Sequence, residues 1–102
     1  MSLRVSFLNL KSCVYCRQVE LTLARDPDFK IILAENNVTW VNYELTTIEQ
    51  IDDLKATIKR YYNLKVPSFP CFLIQNEDLS EPYLLVGSNS WNGLKAILRS
   101  KS

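Results

Sequence analysis

The stretch SCVYC, Ser12–Cys16, stands between two segments whose hydrophobic patterns differ, and this change of pattern decides the fold. Before it, residues 3–10 read LRVSFLNL, with apolar side chains on both alternating faces. That pattern predicts a strand that is buried on much of both faces. After it, apolar residues recur every three or four positions, as along one face of a helix. The residues predicted on that face are Cys16, Val19 and Leu23.

Capping signals define this helix and a shorter one behind it. Ser12 is the predicted N-cap, which places Cys13 in the first turn of the first helix. The helix is expected to end near Arg25, because Asp26 supplies an N-cap for a second helix and Pro27 follows at a position that proline tolerates. The residues that the second helix is predicted to bury are Phe29, Ile32 and Leu33.

A second strand and a third helix follow. Residues 38–45, VTWVNYEL, are rich in β-branched and aromatic side chains and predict the strand. Strand, helix and strand in this order favour a right-handed crossover between parallel strands. Thr47 and Gln50 have the spacing of a capping box, and Asn63 is expected to end the third helix in the left-handed conformation. Its apolar stripe is predicted to comprise Ile48, Ile51, Leu54 or Lys55, Ile58, and Tyr61 or Tyr62.

The last third of the chain has the pattern of a hairpin followed by a helix. Pro70 precedes CFLIQ, a third strand, and residues 83–86 form a fourth strand that is expected to pair antiparallel with it and to end at Gly87. Ser90 is the predicted cap of the last helix, whose apolar residues are Trp91, Leu94, Ile97 and Leu98. The order βα(α)βαββα predicts an α/β fold, a four-stranded mixed sheet flanked by three or four helices, in one domain over residues 1–102.

Composition narrows the classes of function. Twelve basic residues against eleven acidic ones leave a net charge of +1, which predicts neither a nucleic-acid surface nor a membrane surface, and we expect a monomer. No apolar run approaches the roughly 20 residues of a membrane span, and no secretory signal is evident, so the expected compartment is the cytoplasm. Three cysteines are an odd count that fits poorly with a secreted disulfide scaffold. The absence of histidine excludes Cys-His and Ser-His nucleophile pairs.

Three short motifs carry a family resemblance. They are CVYC at Cys13–Cys16, FPCFLI at Phe69–Ile74, and VGSNS at Val86–Ser90. Together with the order of the elements they resemble the thioredoxin fold, and the lack of an extra leading strand resembles the glutaredoxins. In that family a cis-proline opens the third strand and faces the dithiol. Pro70 fits this role better than Pro67, because a strand begun at Pro67 would hold Pro70 in its interior, where it cannot donate to the ladder.

The residues within and before the motif also bear on the family. Tyr15 matches the C-P-Y-C that is common in glutaredoxins, whereas Val14 replaces its proline. Phe7 stands where thioredoxins carry a buried acid, which again favours the glutaredoxins. Gly87 is the part of the glutaredoxin Gly-Gly that this chain retains, and Ser88 follows it.

The resemblance implies a thiol:disulfide oxidoreductase. A free cysteine with a pKa of about 8.5 is mostly protonated at neutral pH, and a helix N-terminus favours its thiolate. Cys13 is therefore the predicted nucleophile, and Cys16, one turn deeper, resolves the mixed disulfide. The predicted substrate-binding residues are Lys11, Tyr15, Phe69, Pro70, Gly87 and Ser88. The resemblance implies no tightly bound cofactor, allows glutathione as co-substrate, and implies glutathione or protein disulfides as partners with a reductase as electron donor.

Two other functions remain open from the residues alone. Cys71, directly after Pro70, is either a small buried residue or a third thiolate near the pair. In the second case the fold is a module that binds zinc or an iron–sulfur cluster, although three cysteines without histidine fall one protein ligand short of a closed zinc site. The third hypothesis is an interaction domain that keeps the fold without turnover.

Overall fold

A computed structural model describes residues 2–76, 78, 82–87 and 89–101 of the chain. The elements, in chain order, are β1 (Leu3–Leu10), α1 (Val14–Arg25), α2 (Phe29–Glu35), β2 (Val38–Leu45), α3 (Ile48–Tyr62), β3 (Cys71–Asn76), β4 (Tyr83–Val86) and α4 (Ser90–Lys101). This order confirms the predicted α/β architecture, with both α1 and α2 present.

The four strands form one mixed sheet in the order β2-β1-β3-β4. β1 and β2 are parallel, as the intervening helices require, while β3 is antiparallel to β1 and β4 is antiparallel to β3. Leu8 of β1 pairs with Cys71 of β3, and Cys71 pairs in turn with Val86 of β4. The last residues of β1, the first of β3 and the last of β4 therefore lie at the same end of the sheet.

The two faces of the sheet carry separate hydrophobic clusters because successive side chains of a strand point to opposite faces. The larger cluster joins β1 and β3 to the helices α1, α2 and α4; its fully buried members include Val5, Val19, Phe72, Leu94 and Leu98. The smaller one lies under α3, where Ile58 packs with Leu8 and Leu73. β1 is buried on both faces, as its sequence predicts.

The capping predictions are only partly correct. Thr47 and Gln50 form the predicted capping box, and Asn63 ends α3 with a φ of 55°. The N-cap of α1, however, is Cys13 and not Ser12, because the Cys13 sulfur accepts the hydrogen bond from the backbone N–H of Cys16. Ser12 is exposed and precedes the cap.

The predictions for Asp26 and Ser90 as caps were wrong. Asp26 is the C-terminal cap residue of α1, and Asp28 occupies the N-cap position of α2. The Asp26 carboxylate still accepts the Asp28 N–H at 2.9 Å in front of α2. It also accepts hydrogen bonds from the Trp91 indole and from Lys95, both at 2.8 Å, and so fixes α4 against the α1–α2 turn. Ser90 is the first residue of α4, and its hydroxyl donates to the Leu85 carbonyl at 3.2 Å.

The apolar stripe of α3 is narrower than predicted. Ile48 is 76% exposed and Tyr61 is 70% exposed, so neither belongs to the buried face. Leu54 and Tyr62 are the members of the predicted pairs that pack on the smaller cluster. Within the described part of the chain, no helix is long and apolar enough to cross a membrane.

Candidate active site

The Cys-x-x-Cys motif lies at the end of the sheet where β1 and β4 end and β3 begins. β1 ends at Leu10, and a tight turn brings the backbone N–H of Cys13 to 3.2 Å from the Leu10 carbonyl. α1 begins at the next residue, so Cys13 sits directly in front of the first helical turn. The four N–H groups of such a turn have no partner within the helix, and one of them, from Cys16, donates to the Cys13 sulfur at 3.1 Å.

The two thiols differ in accessibility. Cys13 is partly exposed, whereas Cys16 is completely buried and faces the sheet. The Cys16 sulfur accepts a hydrogen bond from the backbone N–H of Leu10, with 3.5 Å between the two atoms. Val14 and Tyr15, which separate the cysteines, are 68% and 61% exposed. A disulfide in solution can therefore reach Cys13 but not Cys16.

The surroundings of Cys16 favour its protonated form. The pKa of Cys16 is raised to about 12, first by burial and then by the hydrogen bond and the charge of Cys13, while the Leu10 N–H and the Arg17 cation oppose this rise. At neutral pH Cys16 is thus a thiol. Cys13 is therefore the accessible sulfur of the pair, and Cys16 is the buried, protonated one.

The predicted proline lies beside the dithiol turn. The peptide bond between Phe69 and Pro70 is cis, and β3 begins at the following residue. Because Leu8 pairs with Cys71, the antiparallel register brings Phe69 and Pro70 alongside the end of β1, from which the dithiol turn departs. The Gly87 backbone N–H donates to the Pro70 carbonyl at 2.9 Å, so the structure brings these two predicted residues together. Gly87 has a φ of 103°, a conformation that favours glycine.

The remaining predicted substrate residues have different positions. Lys11 and Tyr15 are exposed on either side of Cys13 along the chain, and the Lys11 backbone N–H is held by the Leu45 carbonyl at 3.0 Å. Ser88 lies outside the described residues. The ammonium of Lys55 lies 5.9 Å from the centroid of the Phe69 ring, which adds a positive charge that the sequence did not predict here.

Cys71 is a buried thiol. Its exposed fraction is 0%, and burial raises the pKa of Cys71 to about 12, with a smaller contribution from the charge of Cys16. This agrees with the first of the two predicted roles, a small buried residue behind the proline. Across the part of the chain that the structure describes, no three His, Cys, Asp or Glu residues are grouped so that they could hold a metal ion.

Sequence reasoning missed a polar network beneath the dithiol. Asn9 is completely buried, and its amide donates to the Asn42 side chain at 2.6 Å and to the Tyr43 carbonyl at 3.2 Å. The Arg17 guanidinium donates to the Asn9 oxygen at 3.2 Å and to the Leu10 carbonyl at 2.9 Å. The available signal was the position of Asn9, which alternates with apolar residues on an inward face of β1. An amide at such a position needs buried partners.

Comparisons with known proteins agree with this architecture. No protein-family model matches the chain, and no curated protein does. Among solved structures, the chain is similar to mitochondrial thioredoxin 3 of Saccharomyces cerevisiae in its oxidized form, with 16% identity, a TM-score of 0.62, and coverage of 96% of this chain and 77% of that one. A second similar structure is glutaredoxin 1 of Francisella tularensis complexed with cacodylate, with 15% identity, a TM-score of 0.55, and coverage of 95% and 98%.

A third match is thioredoxin f2 in its complex with ferredoxin:thioredoxin reductase, with 12% identity, a TM-score of 0.63, and coverage of 99% of this chain and 79% of that one. Identities this low define a fold and no more. The chain is a thioredoxin-fold protein that carries a Cys-x-x-Cys pair between β1 and α1. Thioredoxins and a glutaredoxin both occur among the similar structures; the match covers 98% of the glutaredoxin chain and 77% of the thioredoxin 3 chain.

Proposed function

We propose that this protein is a glutaredoxin-like thiol–disulfide oxidoreductase. One observation carries the proposal: Cys13 caps α1 and accepts the Cys16 N–H at 3.1 Å, while Cys16 is buried one turn behind it. A thiolate that accepts a backbone N–H at a helix N-terminus is stabilised by the hydrogen bond and by the helix dipole. Such an arrangement provides one exposed nucleophile and one protected resolving thiol.

The proposed reaction has two exchanges. The Cys13 thiolate attacks one sulfur of the substrate disulfide, the substrate S–S bond breaks, and the departing thiolate takes a proton from solvent. Cys16 then loses its proton to solvent, and its sulfur attacks Cys13 and releases the second substrate thiol. The protein ends as the Cys13–Cys16 disulfide and the substrate has gained two electrons. An external dithiol or two glutathione molecules restore the reduced pair.

The substrate would bind along the Phe69–Pro70 turn. The Phe69 main chain makes no backbone hydrogen bond within the described part of the chain, and it lies beside the dithiol turn by register. An extended segment, either glutathione or a protein strand, could pair with it as an added strand. Tyr15 and Lys11 would border this path on the α1 side, and Gly87 on the β4 side.

The partners follow from the chemistry. Glutathione or protein disulfides are the proposed substrates, and a reductase or glutathione is the proposed electron donor; the match to thioredoxin f2 in complex with its reductase supports a reductase in general. The cycle uses two thiols and a co-substrate, so it needs no tightly bound cofactor. A cytoplasmic monomer is the form in which we propose that the protein acts.

A coupled reduction assay tests the proposal. The wild type, Cys13→Ser, Cys16→Ser and Cys71→Ala are each compared with a protein disulfide and a glutathione mixed disulfide as substrates, with glutathione plus its reductase, and separately thioredoxin reductase, as donors. Cys13→Ser should lose all activity. Cys16→Ser should still exchange with the glutathione mixed disulfide but should fail on the protein disulfide, and Cys71→Ala should act like wild type. A wild type inactive with every donor, or an active Cys13→Ser, would contradict the proposal.

A further inference from the structure

The resolving step poses a problem for this site. Cys16 attacks as a thiolate, yet it is completely buried and its surroundings favour the thiol. The chain contains no histidine that could take the proton, and Phe7, buried on β1, is apolar. Some other group must therefore stabilise the Cys16 thiolate while it attacks, and the inference below rests on the proposed function.

Leu10 connects both cysteines to a single cation. Its carbonyl accepts the Cys13 N–H at 3.2 Å and the Arg17 guanidinium at 2.9 Å, and its own N–H donates to the Cys16 sulfur at 3.5 Å. The position of the Leu10 main chain thus sets both the start of α1 and the donor that faces Cys16. Arg17 follows Cys16 directly in the chain, so its position is tied to that of the resolving sulfur.

We propose that Arg17 is a positioning residue for the resolving step, which fixes the Leu10 main chain so that its N–H faces Cys16 and supplies the positive charge that stabilises the Cys16 thiolate. Its guanidinium is held for this role from three sides. Glu20 of α1 lies 2.7 Å away, the buried Asn9 of β1 lies 3.2 Å away, and Glu44 of β2 lies 3.9 Å away. The Arg17 side chain remains 38% exposed, so solvent weakens its charge without removing it.

The groups around Cys16 affect its thiolate in opposite directions, and some of them act only before Cys13 forms the mixed disulfide. The hydrogen bond and the charge of Cys13, at the N-cap, oppose a thiolate at Cys16, and Cys71 of β3 is a buried thiol whose own pKa is raised in part by the charge of Cys16. The Leu10 N–H from β1 and Arg17 from α1 favour it. Once Cys13 is part of a mixed disulfide, its sulfur no longer carries a charge and no longer offers a thiolate acceptor to the Cys16 S–H. Two of the causes that raise the pKa of Cys16 then disappear, while Arg17 and the Leu10 N–H continue to act.

A two-phase exchange measures the effect. Reduced protein is mixed with one equivalent of the aromatic disulfide dithiobis(nitrobenzoate), at a concentration low enough that resolution is intramolecular. The first nitrothiobenzoate is released when Cys13 attacks, and the second when Cys16 attacks the mixed disulfide. Stopped-flow absorbance separates the two rates, and the pH profile of the second phase reports the pKa of Cys16 in the mixed disulfide. Cys16→Ser must lose the second phase.

The decisive variant is Arg17→Gln, compared with Arg17→Lys and with Arg25→Gln, which removes an exposed arginine from the end of the same helix. If Arg17→Gln raises the pKa of Cys16 by about one unit, the thiolate fraction falls about tenfold; the more basic sulfur is more nucleophilic, so the second phase slows about three- to fourfold. The first phase should change less. Arg17→Lys should recover most of the second-phase rate, and Arg25→Gln should match the wild type.

The outcomes separate this inference from the proposed function. If the wild type shows no second phase, the oxidoreductase proposal fails. If it shows both phases and Arg17→Gln leaves the rate and pH profile of the second unchanged, or if Arg17→Lys is as slow as Arg17→Gln, the role of Arg17 is overturned. Should Arg17→Gln not fold, Glu20→Gln replaces it. Removing that carboxylate exposes more of the Arg17 charge, so the second-phase profile should move to lower pH, and a shift to higher pH would refute the inference.

Discussion

Replacing the buried amide beneath the dithiol gives the sharpest test of the structure. Asn9 has no exposed surface and donates to the Asn42 side chain and to the Tyr43 carbonyl across the β1–β2 pair. In Asn9→Ala both long-range hydrogen bonds are lost, and a small cavity remains. Each net hydrogen bond contributes about 1 kcal/mol, so we expect a loss of about 2 kcal/mol of unfolding free energy. The bond from Arg17 adds little, because Arg17 keeps its other acceptors.

Urea unfolding followed by circular dichroism measures this loss, and a domain of this size should show a decrease of about 10 °C in Tm for the same change. Asn42→Ala is the matched control. Asn42 is exposed, so water replaces its contact and Asn9 keeps the Tyr43 carbonyl; the expected loss is below about 0.5 kcal/mol. Equal losses in the two variants, or a loss under about 0.5 kcal/mol in Asn9→Ala, would refute the view that the buried amide joins β1 to β2.

Three further predictions concern titration, burial and access. Hydrogen bonds from the Lys95 ammonium and the Trp91 indole lower the pKa of Asp26 from 3.8 to about 2. The contribution of Asp26 to the free energy of unfolding is therefore complete above pH 3.8 and is lost as the pH falls toward about 2. In Asp26→Asn, thermal unfolding measured as a function of pH should lack this part of the acid dependence. Cys71→Ser should lower the free energy of unfolding by about 1–3 kcal/mol, measured by urea unfolding, because it buries a hydroxyl. An equal loss in Cys71→Ala would contradict that reason. Brief treatment of the reduced native protein with iodoacetamide should label Cys13 before the two buried thiols; mass spectra that show equal labelling would disprove the asymmetry of access.

Local patterns were sufficient to predict most of the fold. The capping box of α3 and the left-handed residue Asn63 use contacts within a few residues, so the sequence contains all the information that they need. The strand limits of β2 were also correct, because its β-branched and aromatic run is bounded by polar residues. The predictions that failed, such as Ser12 as a cap, depended on which of several adjacent polar groups the tertiary fold would engage.

The residues of the candidate site also fall into two groups, those that a local sequence pattern predicted and those that only the fold brings together. Cys13 and Cys16 were identified by spacing and by their place between a strand and a helix, and Pro70 by its place before a strand. The catalytic roles of Cys13 and Cys16 remain predictions, as do the substrate-binding roles assigned to Lys11, Tyr15, Phe69, Pro70, Gly87 and Ser88. Asn9 and Arg17 were not identified, because their partners lie on another strand or on the backbone of β1, at positions that no local pattern specifies.

The sequence by itself determined the order of elements, the dithiol and its position in front of a helix, because periodicity, capping and turn preferences act over a few residues. Only the tertiary structure decided which groups surround the two thiols. Cys16 is completely buried with the Leu10 N–H 3.5 Å from its sulfur, whereas Cys13 stays partly exposed. Burial and the electrostatic effect of Arg17 depend on chain segments that meet only in the folded sheet, and so the inequality of the two sulfurs is a property of packing.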